Sequence, residues 1–405
     1  MNRRTWLQLM AGLAAGTAVG ANAPRPLRII VAGAGIVGAS IAYHLARAGA
    51  AVTVIDKHAP AAHASRGTFA WINATWAKQP RSHHALNQAG VARWQFLQQQ
   101  LQLPVRWGGS LEWYAEAERQ QQLVVQIAQQ REWGERARMV SAPELAALEP
   151  QVNFSGAEQV AFSENDGAVD PVLATHAFLK AAESLGAKLR YPCELSDVSL
   201  RAGRLFAVDT SRGSLKADRL VLATGAAPDA AQRFADTDLP QRSTPGIIAI
   251  TAPMPRLVNR VLATPGVHLH QRDDGRIVLG EQDGPPQNEA HAERLQMRPN
   301  DFPVREIALQ HAKRILDIAQ RYVPAISKAE IEEACIGWRP LPLDGLPVLG
   351  ASPARRDVYL AVMHSGVTLA PIAGLLAAQE LLQDVVSERL RDFRPGRKFD
   401  YIKRY

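Results

Sequence analysis

Two cysteines, Cys193 and Cys335, are all that 405 residues contain, so this chain alone can assemble neither a disulfide framework nor a thiolate metal centre. The H-E-x-x-H of zinc proteases and the G-x-S-x-G of serine hydrolases are also missing, which removes support for metal catalysis and for nucleophilic hydrolysis. His83 and His84 are adjacent, so their side chains diverge on either helix or strand, and they read as surface residues; no metal site is expected. There is no internal repeat of fixed period. The aromatic-bearing basic strands of RNA-binding modules are absent, and no nucleic-acid partner is expected. Charge of one sign is not in large excess: 46 basic and 39 acidic side chains leave +7, which suits anionic small molecules, an anionic membrane surface or nucleic acid about equally. What is present is a chain 47% apolar and 21% charged, long enough to bury a sizeable core and, by length, to form two domains.

The N-terminus reads as a targeting segment. "NRRTWLQLM" places Arg3 and Arg4 ahead of a hydrophobic stretch, and "AGLAAGTAVGANA" is a small-residue run of signal-peptide length. It is too short and too weakly apolar for a comfortable membrane span. With Trp6 and Leu7 after the arginines, residues 1–25 resemble a twin-arginine export signal; an ordinary secretory signal would carry a greasier core. Ala21 and Ala23 offer a small-x-small cleavage pattern that Pro24 obstructs, so retention as an anchor stays open. The expected location is the periplasm, or a membrane surface facing it, in a bacterium.

Directly afterwards comes "VAGAGIVGASIAYHLARAGAAVTVIDK", Val31 to Lys57. Leu27 to Val31 reads as a strand, Ile36 to Ala48 as a helix with Val37, Ile41 and Leu45 on one face, and Ala51 to Ile55 as a second strand. Gly49 sits where a helix C-terminus favours a left-handed residue. Gly33 permits the tight turn off the strand, Gly35 lets backbone amides approach a pyrophosphate, and Gly38 lets helix pack on sheet. The helix start, including Ile36 and Val37, supplies unpaired N–H groups and partial positive charge. Asp56, followed by Lys57, lies where a carboxylate accepts both ribose hydroxyls and argues against a 2′-phosphate. This is a dinucleotide-binding unit, and these residues do not say whether the nucleotide is NAD or FAD.

Further along, short apolar runs and helical stretches alternate, the signature of a wound α/β sheet. Two Gln-rich helical stretches, "WQFLQQQLQL" and "ERQQQLVVQIAQQREW", have no matching strands and read as an insertion outside the nucleotide domain. "DPVLATHAFLKAAESLGAKLRY" resumes helix and strand, and "KADRLVLATGAAP" gives another buried strand. "GIIAIT", "GVHLHQ" and "DDGRIVLG" form an antiparallel sheet, with a hairpin at Asp274-Gly275. "DFPVREIALQHAKRILDIAQRY" is an amphipathic helix, and "DVYLAVMHSGVTLAPIAGLLAAQELL" is strand, tight turn and helix. The resulting expectation is an α/β chain: a Rossmann-like domain with a central parallel sheet from 26–100, 160–235 and 335–395, and a substrate domain on a mostly antiparallel sheet from 101–159 and 236–334.

Four more segments bear on the nucleotide: "HASRGTFAWINA" after the acid, "DRLVLATGAAP", "GWRPLPLDGLPVLG" and "MHSGVTLAP". With them the chain, from Leu27 to Leu382, resembles the D-amino-acid oxidase, glycine oxidase and sarcosine oxidase family of flavoproteins, which includes D-amino-acid dehydrogenases. The resemblance implies FAD, with Ser65, Thr68, Phe69, Ala70, Leu195, Thr224 and Gly225 as further contacts. It also implies a flavin-facing turn at His364, Ser365, Gly366, Val367, Thr368 and Leu369, whose amides would stabilise negative charge on reduced flavin. Arg339 would fork onto a substrate carboxylate, the competing reading being an ion pair with Asp344. His270 and Arg272 lie on the strand that in such relatives walls the substrate pocket, though a packed or solvent-facing role is the plainer one for each. Trp71, Trp76 and Trp338 could cap a flavin or belong to the core. Met363 departs from the family's glycine before the histidine, "SRGTFAWINA" is bulkier than in many relatives, and Cys335 does not register cleanly with the cysteine that tethers FAD in some. The implied reaction passes a hydride from the α-carbon of an amino acid or amine to flavin, leaving an imine that water hydrolyses to a keto acid. Oxygen or a membrane quinone would then take the electrons. The alternatives are an NAD-dependent dehydrogenase and a non-catalytic flavin-binding partner protein.

Overall fold

The computed structural model describes residues 25–75, 78–227, 229–281 and 300–402. Residues 1–24 of the stretch read from sequence as an export signal, and Trp76, lie outside the described residues. The first unit is β1 (Arg28–Ala32), α1 (Ile36–Arg47) and β2 (Ala51–Ile55), with β1 and β2 parallel from Arg28↔Ala51 to Ala32↔Ile55. Both strands are short apolar runs, and between them Gly49 ends the turn after α1 at φ +88°, a value that glycine adopts without steric cost.

These strands sit in a six-stranded sheet ordered β19 (Val348–Ala351), β20 (Val358–Val362), β13 (Arg219–Leu222), β1, β2, β9 (Lys188–Arg190). All neighbours pair in parallel except β19, which runs antiparallel to β20. The chain moves one way from β1 to β2 and returns to the other side at β13, so the winding reverses beside β1. Outside the C-terminal ends of β1 and β13 this leaves a crevice, the usual ligand position in such sheets.

One face of the sheet is covered by α1, α5 (Pro171–Ser184), α8 (Gly366–Gln383) and α2 (Arg81–Leu101). Helix α1 is buried from nearly every side, with Ile41, Leu45 and Ala39 at the centre, which is why it carries almost no charge before Arg47. The first Gln-rich stretch belongs here, contrary to its reading as an insertion: Leu86, Val91, Trp94 and Leu97 of α2 join this core and leave the glutamines outside. The second is α3 (Ala117–Glu132), whose Leu123 and Ile127 pack on Ala137 and Ala161 of the other sheet. On the opposite face, α6 (Ala230–Ala235) and a three-stranded sheet of β10 (Leu195–Arg201), β11 (Arg204–Thr210) and β12 (Gly213–Lys216) complete the layer.

The second layer is an eight-stranded, mostly antiparallel sheet. Its order is β18 (Ile331–Pro342), β14 (Gln241–Thr251), β17 (Ile277–Glu281), β16 (Val267–Gln271), β15 (Val261–Thr264), β5 (Ser110–Glu112), β7 (Val160–Ser163), β6 (Ala137–Val140). Between β16 and β17 is the hairpin read at Asp274-Gly275: Gly275 has φ +88°, and a Cβ there would lie 2.7 Å from the Met254 carbonyl oxygen. Helix α7 (Arg305–Ala319) buries Ala312, Ile315 and Ala319 against Ile247, Val267, Leu269 and Leu279, and α4 (Ala142–Leu148) adds Leu145. Residues 160–163 and 335–342, assigned from sequence to the cofactor half, are strands of this sheet instead. The long ladder from Gln241↔Pro342 to Thr251↔Ile331 holds β18 to β14, a pairing across some ninety residues that local periodicity does not reveal. A small sheet of β3 (Trp71–Ile72), β8 (Gly167–Val169) and β4 (Val105–Trp107) joins the two layers.

Candidate cofactor and substrate site

At the crevice the glycines are required by contact. Gly33 has φ +115°, and a Cβ on it would fall 2.2 Å from the Ala223 carbonyl oxygen at the end of β13. A Cβ on Gly38 would fall 2.0 Å from the carbonyl oxygen of Gly33. Asp56, at the end of β2, accepts hydrogen bonds from the amides of Ala34 (2.7 Å) and His58 (2.8 Å), which fixes its carboxylate at the mouth of the glycine turn. The Ser65 hydroxyl accepts from the Ile36 amide at 3.0 Å, so the loop after β2 is tied to the start of α1. Lys57 is exposed beside Asp56, and Thr224 and the left-handed Gly225 (φ +58°) turn off β13.

The flavin-facing turn read at His364–Leu369 meets this crevice. Helix α8 begins at Gly366, and a Cβ there would stand 3.2 Å from Cγ2 of Val37 in the first turn of α1. Neither helix has an acidic side chain in its first turn, so the positive ends of two dipoles face the same region without an internal counter-charge. Thr368 donates to the Trp71 carbonyl and accepts from the Asn73 amide, both at 3.2 Å, while the Trp94 indole N–H holds the Val367 carbonyl at 2.9 Å. His364, Ser365 and Val367 are half-buried and Leu369 is buried in the core behind.

Arg339 stands on β18 opposite Thr244 of β14. Its guanidinium lies flat over Gly246, where a Cβ would meet Nη2 at 2.5 Å and Cζ at 2.8 Å, and its Nη1 donates to the Pro245 carbonyl at 3.2 Å. Asp344 is not its partner. That carboxylate takes a two-pronged bond from Arg397, at 2.7 and 3.0 Å. The loop carrying Ser65, Thr68, Phe69 and Ala70 is pressed against the same strand, for a Cβ on Gly337 would lie 1.9 Å from the Gly67 carbonyl oxygen.

His270 is buried, and its Nε2 hydrogen-bonds the Phe69 carbonyl at 3.0 Å. Its role there is to hold the loop, and Arg272 forms an ion pair with Asp170 at 2.7 Å. The residue that sequence reasoning passed over is His268, two positions earlier on the same face of β16. Its ring sits 5.6 Å from that of Phe69 and 5.9 Å from that of Trp71. Burial first, and then the nearby Arg339 charge, lower its pKa to about 4, so it is a neutral imidazole beside the arginine at physiological pH. The strict alternation in "GVHLHQ" was the available signal.

Leu195 packs with Val198 and Leu215 against a core that includes Ala32, Ile55, Leu220 and Phe234; Cys193, two residues before it, donates its amide to the Asp56 carbonyl at 2.6 Å. His83 and His84 are fully buried rather than on the surface. They do diverge, but each side is covered, His83 by Phe393 and His84 by Trp133. Cys335 is buried and its thiol is pushed up to about 12, chiefly by burial, away from the thiolate form.

The residues present fit a flavin dinucleotide. Asp56 suits the adenosine ribose, the amides from Gly35 to Val37 the pyrophosphate, and the α8 start the electron-rich edge of the ring system. The chain is 31% identical over 242 residues, 58% of its length, to the bifunctional protein ThiO/ThiG of Synechocystis sp., and that stretch spans 33% of the longer protein. Against the glycine oxidase of Geobacillus kaustophilus it is 29% identical over 251 residues, spanning 62% of that protein; the crystal structure of this oxidase shares the fold with a TM-score of 0.81, covering 92% of this chain and 100% of the other. Glycine oxidase from Bacillus licheniformis is 26% identical over 382 residues, 91% of this chain and 97% of the relative. Residues 28–380 match the DAO family of FAD dependent oxidoreductases, and with the glycine crevice, the acid and the second helix start all meeting there, the chain belongs to that family.

Proposed function

We propose that this protein oxidises the C–N bond of a small amino acid or related carboxylate-bearing amine. The observation that carries the reading is the guanidinium of Arg339, laid over Gly246 in the sheet that faces the crevice. A guanidinium presents parallel donors that match a carboxylate plane, and Gly246 leaves room for the planar group over the sheet. Phe69, Trp71 and the neutral His268 beside it form a wall that favours a neutral amine over an ammonium, the form able to give up a hydride. Held in the crevice by the glycine turn, Asp56 and the α8 start, FAD would supply the hydride acceptor, and the imine left from the amine would be hydrolysed to a keto acid. Arg339 holds the substrate in line, and no acid or base side chain is assigned. Two of the relatives named above are glycine oxidases, which supports the substrate class. Reoxidation is assigned to oxygen or a membrane quinone, and the twin-arginine reading places the enzyme at the periplasmic face, reached by a route that carries folded, cofactor-loaded proteins.

Anaerobic mixing of the yellow holoenzyme with D-amino acids, glycine, sarcosine, imino acids and opines tests this directly. At least one class should bleach the absorbance near about 450 nm. Arg339→Ala should raise the concentration needed for half-maximal reduction by on the order of a hundredfold, since a charge-assisted pair is worth about 1.5–3 kcal/mol. Unchanged reduction by that variant would remove the carboxylate assignment.

A further inference from the structure

We propose that Asp166 is a positioning residue that sets Trp71 against the substrate wall. One oxygen, Oδ2, accepts three hydrogen bonds from two segments: Trp71 Nε1 at 2.9 Å and Thr75 Oγ1 at 3.1 Å from one, and Ser110 Oγ at 2.7 Å from the other. The carboxyl is fully buried, and Oδ1 has no hydrogen-bond partner among the described residues. Its own backbone is fixed, since Gly109 donates to the Asp166 carbonyl at 3.0 Å and a Cβ on Gly167 would meet the Arg106 carbonyl at 2.7 Å. The oxygen is therefore a stationary anchor.

What it anchors faces the site on both sides. The Trp71 carbonyl receives the Thr368 hydroxyl in the first turn of α8. The Trp71 ring stands edge-on to His268, with centroids 5.9 Å apart, and the charge of Arg339 reaches His268. Rotation of the indole about its side-chain bonds would open the wall, and the hydrogen bond to Asp166 opposes it. Burial pushes the Asp166 carboxyl up to about 7, with Glu135 acting in the same direction and Ser110, Lys78 and Thr75 opposing. The effect on substrate rests on the amine-oxidising reading; the coupling of Asp166 to Trp71 does not.

The test is a double-mutant cycle on the holoenzyme with Asp166→Ala, Trp71→Phe and the pair combined, together with Asp166→Asn, which keeps an acceptor for the indole. Two quantities are read: half-saturation and limiting rate of anaerobic reduction, and the visible flavin spectrum titrated with acetate. Each single substitution should weaken half-saturation about tenfold with the limiting rate within about threefold, and the double variant should be no weaker than the poorer single, as for residues acting through one contact. Asp166→Asn should recover most of the loss. Multiplied losses in the double variant, or a change in melting temperature and FAD content with half-saturation untouched, would overturn the proposal. If no amine reduces the wild-type enzyme, the functional reading fails by itself. The spectral arm then decides: equal, non-additive shifts in the visible bands support the coupling, and additive shifts overturn it. Should Asp166→Ala not fold, the two remaining variants decide: Trp71→Phe should weaken half-saturation about tenfold and Asp166→Asn, which keeps the acceptor, by less than about threefold, and equal losses in both would overturn the proposal.

Discussion

A guanidinium is placed as much by what lies under it as by its own backbone. Gly246 and Arg339 show this, because the only residue type that leaves room for the planar group over β14 is glycine, a Cβ at 246 coming within 2.5 Å of Nη2. Gly246 sits in extended backbone, so alanine there is not strained by conformation and acts through that one contact. Gly246→Ala should therefore lift Arg339 off the sheet while leaving the arginine in the chain. We expect half-saturation for a carboxylate substrate to rise on the order of tenfold, about 1.4 kcal/mol, with FAD content retained. Steady-state kinetics on the two proteins measure it, and an unaltered half-saturation constant would mean that the guanidinium acts from some other position.

At the level of elements, two helix starts face one crevice, so the packing of α1 on α8 shapes it. Gly374 of α8 lies where a Cβ would stand 2.5 Å from Ser40 Oγ and 2.6 Å from His44 Nδ1 of α1. Gly374→Ala should push the helices apart at an overpacking cost of about 1–3 kcal/mol, lowering the melting temperature and weakening FAD together; a drop in melting temperature at unchanged FAD affinity would show that the helix starts are set independently. Much of this arrangement could be read from sequence. The β1–α1–β2 unit, the Gly275 hairpin and the strand–turn–helix at the C-terminus are encoded in patterns a few residues long, where spacing and glycine chemistry speak directly. The choice of partner was not legible. That α2 packs under α8, that β18 pairs with β14, and that His83 and His84 are covered on both sides are contacts between distant segments, which a local period does not specify. That His268 faces Trp71 while His270 bonds the Phe69 carbonyl belongs with these, since both lie on one face of β16 and the position of the loop separates their contacts.

For the molecule as a whole, three neutral histidines make the fold sensitive to acid well above the carboxylate range. His44 lies between α1 and α8, with burial as the largest cause lowering its pKa to about 3. His270 and His268 in the other layer are lowered, again chiefly by burial, to about 3 and about 4. In the unfolded chain all three protonate near about 6.5. Between that value and about 4 the unfolded state binds the extra protons, so stability present above pH 6.5 is lost as pH falls, by up to about 1.4 kcal/mol per pH unit for each histidine. Asp166 works the other way. Its carboxyl holds a proton in the folded state up to about 7 and in the unfolded state only up to about 3.9, so it costs stability as pH rises through that window and cancels about one histidine. Asp218, held low mainly by the Arg28 guanidinium, and Asp357, held low by Arg204 and Arg219 against its burial, lose their contribution only below the ordinary aspartate value near about 3.9. The melting temperature at saturating FAD should therefore be level above pH 7 and fall steadily from just below 6.5, and His270→Gln should make that slope shallower. Scanning calorimetry from pH 8 to 4.5 on both proteins provides the comparison. A melting temperature that stays level down to pH 5 would mean that these imidazoles are not held neutral, and with them would go the argument that the wall beside Arg339 selects an uncharged amine.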